Sequence, residues 1–379
     1  MPGDVLNALH KALANFSLFL VSTLCALLVG EAAARLLLRD SIVLFPRFFT
    51  EAHYDGVTLR KLIPNSTFWH TSIDGRWQFR INHQGFRDDE NYVYAKPEGR
   101  RRVLVLGDSH TQGYEVRQEA TFSKVLEQRF RARGMDVQVL NTGVSGFGTA
   151  EQLLFLEREG KKYSPDAVVV AFFENDFEDS AKSGLFELKD GSLLLRKTHY
   201  APGATAIRVM NAFPGAEWLS QNSYLFSYLV NAVWLAAKQI LTASAKQQLE
   251  NEYAIRTTEV DTYQQELVAA LLARMKSTAQ AIGARFIVIE IPAADLTEEH
   301  VWLPSFPHDF SPVLSANSDV FVPASSYLAE APRGSVHVPH GHRHISEWTH
   351  AKVAAALEQA LGTLDARFRT VDYYLDSRK

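Results

Sequence analysis

Four short blocks carry residue types suited to acyl chemistry. Gly107, Asp108, Ser109, His110, Thr111, Gln112 and Gly113 follow directly on the apolar run from Arg102 to Leu106. A serine at a strand-to-helix turn can present its hydroxyl at a sheet edge, with backbone N–H groups free to face a developing oxyanion. The same serine can instead cap a helix, and the G-x-S-x-G elbow is absent because its second glycine is missing. The second block, Asn141 to Gly148, holds glycines that either make a turn or let backbone approach a substrate closely. In the third, Phe173-Glu174-Asn175-Asp176, an amide side chain stands at the end of another apolar run. The fourth brings His340, His342 and His344 at alternating positions, so an extended chain projects all three from one side, as a surface loop or a metal site would. No acidic residue lies between Gly334 and Ser346 to complete a zinc site, and no metal or cofactor is expected.

The elements that must position these blocks alternate. Arg102 to Leu106, Val137 to Leu140, Ala167 to Phe173 and Arg285 to Ile291 are β-branched-rich runs of strand length, and their continuity suits a sheet buried on both faces. Thr121 to Arg133 and Thr149 to Gly160 have helical spacing, with Gly134 and Gly160 as stops. Strand, helix, strand, helix predicts an α/β parallel sheet with helices on both faces, whose ligands bind at the carboxyl ends of the strands. The first three blocks fall there. A long insertion, 180–262, interrupts the pattern, and its apolar stretch from Tyr224 to Leu241 reads as an amphipathic helix or lid because Ser227, Asn231 and Lys238 break it.

Ahead of this domain, Ala12 to Gly30 runs without a charge, long enough for one transmembrane helix, with Cys25 facing lipid. The pattern continues through Leu38 with no cleavage-site geometry, which favours a retained anchor over a signal peptide. Lys11 precedes the span while Arg35, Arg39 and Arg47 follow it, so the positive-inside rule taken alone puts the following domain in the cytoplasm. Alternation from Arg76 to Asn82, closed by Gly85 and Phe86, predicts a strand in a small β-rich lead-in. The expected division is therefore a tail 1–11, an anchor helix 12–38, a lead-in 39–100, a main domain 101–362 and a tail 363–379. With 39 Lys+Arg against 43 Asp+Glu the formal net charge is -4, which leaves no basic field for a nucleic acid. The single cysteine excludes an internal disulfide and a cysteine-based zinc site.

Taken in order, the blocks resemble those of the SGNH hydrolases, the GDSL esterase/lipase family, strongly over Arg101 to Phe177 and more loosely over Ala284 to Leu361. The run Gln84-Gly85-Phe86-Arg87-Asp88 is similar to membrane-anchored bacterial members. The resemblance implies a three-layer flavodoxin-like parallel sheet and a serine ester hydrolase at the bacterial inner membrane, its domain on the extracytoplasmic side. It also implies an acylated carbohydrate or other small ester as substrate, contact with the lipid bilayer through one helix, and O-acyl transfer or catalytically silent glycan or protein binding as alternatives. By the same resemblance Ser109 is the nucleophile, and Ser109, Gly146 and Asn175 form the oxyanion hole. The family's glycine before the asparagine is replaced by Glu174. Its closing Asp and His match less well: aligning Pro-x-Gly-His makes His342 the base and puts His340 where the aspartate would stand. His340 and His344 remain alternative bases, and a distant acid such as Asp319 is a candidate orienter.

Overall fold

The computed structural model describes residues 2–44, 46–253, 260–295, 298, 301–340 and 342–368. Its centre is a five-stranded sheet built from β5 (Arg101–Leu106), β6 (Val137–Asn141), β7 (Ala167–Phe172), β8 (Arg285–Glu290) and β9 (Val320–Val322). The order is β9-β8-β7-β5-β6, and every pairing is parallel. The apolar runs therefore have no polar face because both sides of the sheet are covered. Leu104, Leu106, Leu140, Val168, Val170, Phe172, Phe286 and Val288 point into one core layer with Leu153 and Leu154 of α4 (Thr149–Arg158) and Leu267, Leu271 and Met275 of α7 (Val260–Ala281). Their neighbours Val103, Val105, Val139, Val169, Ile287 and Ile289 point into the other, against Phe122, Leu126 and Phe130 of α3 (Phe122–Ala132) and Val353, Leu357 and Leu361 of α8 (Glu347–Leu364). This is the expected three-layer α/β fold.

The lead-in consists of two antiparallel hairpins, β1 (Phe49–Tyr54) with β2 (Val57–Leu62) and β3 (Thr67–Ser72) with β4 (Gly75–Arg80). Trp77 and Phe79 face inward while Arg76, Gln78 and Arg80 face outward, as the alternation requires. Leu59, Leu62, Phe68 and Phe79 are fully buried in the same core layer as α4, so the lead-in is part of the main body. It also supplies a clamp. Arg87, buried over the Phe79 ring at 3.6 Å, donates to the carbonyls of Gln112, Gly113 and Val116, which fixes the turn after the serine block.

The first helix, α1 (Pro2–Leu37), contains a stretch from Asn7 to Leu37 long and apolar enough to cross a membrane, and its most apolar part is not buried within the protein. Cys25 is exposed on it. Its far end docks on the insertion. The Glu31 carboxylate accepts from the Ser223 hydroxyl at 2.7 Å and from the backbone N–H of Tyr224 and Leu225 at 3.1 and 3.0 Å. Those are the otherwise unmet donors at the start of α6 (Tyr224–Tyr253), and an acid there also suits the helix dipole. The apolar stretch from Tyr224 is thus a helix, capped by α1, with Leu229, Val233 and Leu235 exposed along it.

Candidate functional site

Three loops at the carboxyl ends of β5, β6 and β7 converge on Ser109. The chain leaves β5 into the single turn α2 (Ser109–Gln112), and the cap of that turn is Asp108, whose carboxylate accepts from the His110 N–H at 2.9 Å. Ser109 is therefore relieved of capping, and its hydroxyl meets His344 Nε2 at 2.9 Å. Gly113 closes the turn at φ 84°, a left-handed conformation that suits glycine. Gly143 at the end of β6 lies so near that a Cβ would stand 2.4 Å from the Gln112 N–H nitrogen. That contact requires glycine.

The histidine against Ser109 is His344, not His342. Arg343 has φ 52°, so the chain turns between the two and the single-sided projection expected of an extended run is lost. His340 turns to the β3–β4 hairpin, with Nδ1 2.9 Å from Asp74, and does not stand in an aspartate's place beside the base. His342 lies beside His70, ring centroids 6.1 Å apart, with Nδ1 3.8 Å from Glu115. His344 alone reaches both ways, its Nδ1 lying 3.3 Å from Glu115 Oε2. Asp319 is remote: it accepts from the Phe286 N–H at the opposite end of β8.

Glu115 is the acid that sequence reading missed. It sits two positions past Gly113, just beyond the serine block, at φ 60°, a strained conformation for a residue with a side chain. Its side chain is fully buried and also accepts from the backbone N–H of His342 at 3.0 Å. Burial alone would raise its pKa, but the His344 hydrogen bond and the nearby His344, His70 and His342 rings outweigh that and hold it down to about 2. The same crowding, burial first and then His344, pushes His342 down to about 4, so that ring is neutral near pH 7. For His344, though not for Glu115, the sequence held a pointer. His344 stands two residues ahead of Ser346, which caps α8 by accepting from the Thr349 N–H.

Residues of the other two blocks stand beside the serine turn. Among the described residues, the backbone N–H groups of Ser109 and Gly146 donate to no backbone acceptor in the loops. Gly146 itself is at φ 75°. Asn175 begins α5 (Asn175–Ser183), and its side-chain Nδ2 donates to Asp179 Oδ2 at 3.1 Å. The following Asp176 is buried and accepts from the Phe173 N–H, the Thr149 hydroxyl and the Gln152 amide, so the turn is held without the glycine that Glu174 replaces. Tyr114 packs against His344 with ring centroids 4.9 Å apart. For metals, His70, Glu115 and His342 bring three ligand atoms within 4.8 Å of one another.

The sequence model of the GDSL-like lipase/acylhydrolase family matches residues 103–357, and the chain belongs to that family. An arylesterase of Vibrio mimicus is 32% identical over 82 residues, 22% of this chain and 41% of that protein, so the match spans less than half of this relative. A lipase/acylhydrolase from Enterococcus faecalis is 14% identical in a comparison covering 70% of this chain and 96% of that one, with a TM-score of 0.36. An acetylxylan esterase from Geobacillus stearothermophilus is 12% identical over 69% of this chain and 94% of its own, with a TM-score of 0.38.

Proposed function

We propose that the protein is a membrane-anchored serine ester hydrolase in which Ser109 is the nucleophile, His344 the general base and Glu115 the acid that orients it. The observation that carries this reading is the continuous relay from the Ser109 hydroxyl through both ring nitrogens of His344 to a buried, ionised carboxylate. In that relay the serine O–H donates to Nε2 and the Nδ1–H donates to Glu115.

The chemistry follows. Ser109 Oγ bonds to the ester carbonyl carbon as its proton passes to His344 Nε2, and the imidazolium is stabilised by Glu115. The carbonyl oxygen becomes an oxyanion facing the N–H groups of Ser109 and Gly146 and the Asn175 amide. Collapse breaks the bond to the leaving alkoxide, which takes the proton from His344. Water then attacks the acyl-Ser109 ester, giving its proton to His344, and the carboxylic acid leaves as Ser109 is reprotonated. The substrate class is an O-acyl, in the first instance acetyl, ester of envelope carbohydrate. The domain lies on the extracytoplasmic face of the bacterial inner membrane.

A fluorophosphonate probe tests the reading. Labelling of the wild type that disappears in Ser109→Ala and in His344→Ala, with folded circular-dichroism spectra in both, is the expected result. Labelling that persists in Ser109→Ala removes the proposal.

A further inference from the structure

Two arginines near the start of the lead-in, Arg60 buried and Arg47 half-buried, have no acid to answer them among the described residues. Arg60, on β2, is 6% exposed and donates through Nη2 to the Ser145 carbonyl, the residue before Gly146. Its Nε has no hydrogen-bond partner. A Cβ on Gly146 would stand 2.9 Å from Nη2, so the guanidinium lies directly against the backbone of the second block. Arg47 donates to Asn231 Oδ1 at 3.0 Å and rests over the Trp234 ring at 4.7 Å, both on α6. A guanidinium carries five N–H donors, and each of these two finds one side-chain or carbonyl acceptor. Arg87, buried like Arg60 and likewise without a partner at Nε, differs in its other nitrogens, which are met by four carbonyls.

Among the described residues neither Arg47 nor Arg60 forms an ion pair. Glu51 lies across the ladder from Arg60 without pairing with it. Glu151 and Asp179 act on Arg60 from beyond ion-pair distance, and both are engaged elsewhere. Glu151 accepts from the Gly148 N–H, and Asp179 pairs with Lys182. Arg60 reaches the site through its contact with Ser145 and the Gly146 backbone, and its ring partner Phe49 follows Arg47 by two residues at the start of β1, which brings the second guanidinium in from the same end of the hairpin. For Arg60 the cost is direct, because a buried cation with unmet donors is unfavourable unless something anionic completes it.

We infer that Arg47 and Arg60 form an anion subsite, so that the ester cleaved at Ser109 carries a phosphate or carboxylate group close to its acyl oxygen. The inference rests on the esterase reading above and narrows its substrate class. Arginine suits either oxyanion through paired N–H donors.

Binding and turnover test it separately. Full-length Ser109→Ala protein in detergent is titrated calorimetrically with glycerol 3-phosphate, glucuronate, glycerol and glucose. The two anions should bind and their neutral counterparts should not, with binding weakened roughly ten-fold or more by Arg60→Gln or Arg47→Gln and less by Arg60→Lys. The stronger anion tells phosphate from carboxylate. In the wild type, 1-butyryl-glycerol 3-phosphate should be cleaved with a higher kcat/KM than monobutyrin, and Arg60→Gln should collapse that ratio through KM. Equal binding of glycerol and glycerol 3-phosphate overturns the subsite, as does an equal loss on both esters in the arginine variants. If the wild type cleaves neither ester, the hydrolase reading fails while the titration still decides the anion site.

Discussion

At the scale of single residues, the proposed relay ranks its three histidines. His344→Ala should reduce turnover of a nitrophenyl ester by about 10³-fold or more, whereas His342→Ala should cost less than ten-fold, because only the backbone N–H of residue 342 holds Glu115 closely. A reversed ranking would return the base to His342. Glu115→Gln should lower kcat by roughly 10²–10⁴ with little change in KM, since the amide keeps the shape but loses the charge that favours the imidazolium. Glu115 is held down to about 2, so it stays ionised well below neutrality, and any acid limb of the pH–rate profile above pH 4 belongs to another group. Asn175→Ala should weaken turnover by about 10²–10³ if its amide faces the oxyanion. The serine and asparagine blocks were legible because each follows a buried apolar strand directly. Glu115 was not, because nothing in composition or periodicity announces a glutamate at positive φ, and its partner lies 229 residues away.

At the scale of elements, the alternation of strand and helix was readable because every sheet residue between Val103 and Leu106, or between Ala167 and Phe172, is buried on one face or the other. The links between elements were not readable, since they are made by polar side chains whose partners are distant in sequence. Arg87 is one such link, and Arg87→Gln should cost on the order of 3 kcal/mol in urea unfolding by leaving carbonyls around the Glu115 turn unmet. His350 is another. Its Nδ1 accepts from the Phe122 N–H at 3.0 Å, joining α8 to the start of α3, so the folded ring must be neutral there. Burial first, and then the positive Arg87, push its pKa down to about 3 from an ordinary 6.5. As pH falls from 6.5 toward 3 the unfolded chain takes up a proton that the folded chain refuses, so this contribution to stability is complete above pH 6.5 and is lost on acidification. His350→Gln should therefore flatten the dependence of unfolding free energy on pH by up to one proton across that window. An unchanged slope would mean that the ring is already charged in the fold.

At the scale of the whole molecule, α1 and the insertion behave as one bracket. Glu31 caps α6, Arg35 pairs with Glu31 at 2.6 Å, and Arg47 and Asn231 tie the chain after α1 to the first third of the same helix. The first helix is then joined to the main body by packed structure rather than by a free linker, and Glu31→Ala should loosen that joint, lowering the melting temperature of the detergent-solubilised protein by several degrees. Which side of the membrane that cleft faces is the last matter. Arg35, Arg39 and Arg47 after the span outweigh Lys11 before it, and that bias alone would hold the domain in the cytoplasm. The proposed envelope ester demands the opposite side. Alkaline phosphatase fused after Lys379 is active only when exported, and green fluorescent protein at the same point fluoresces only when retained. The proposed function predicts a phosphatase-positive, fluorescence-negative pair, with the protein in the membrane fraction after a carbonate wash. A fluorescent, phosphatase-negative pair would leave the relay at Ser109 untouched but would move its substrate to the cytoplasmic leaflet.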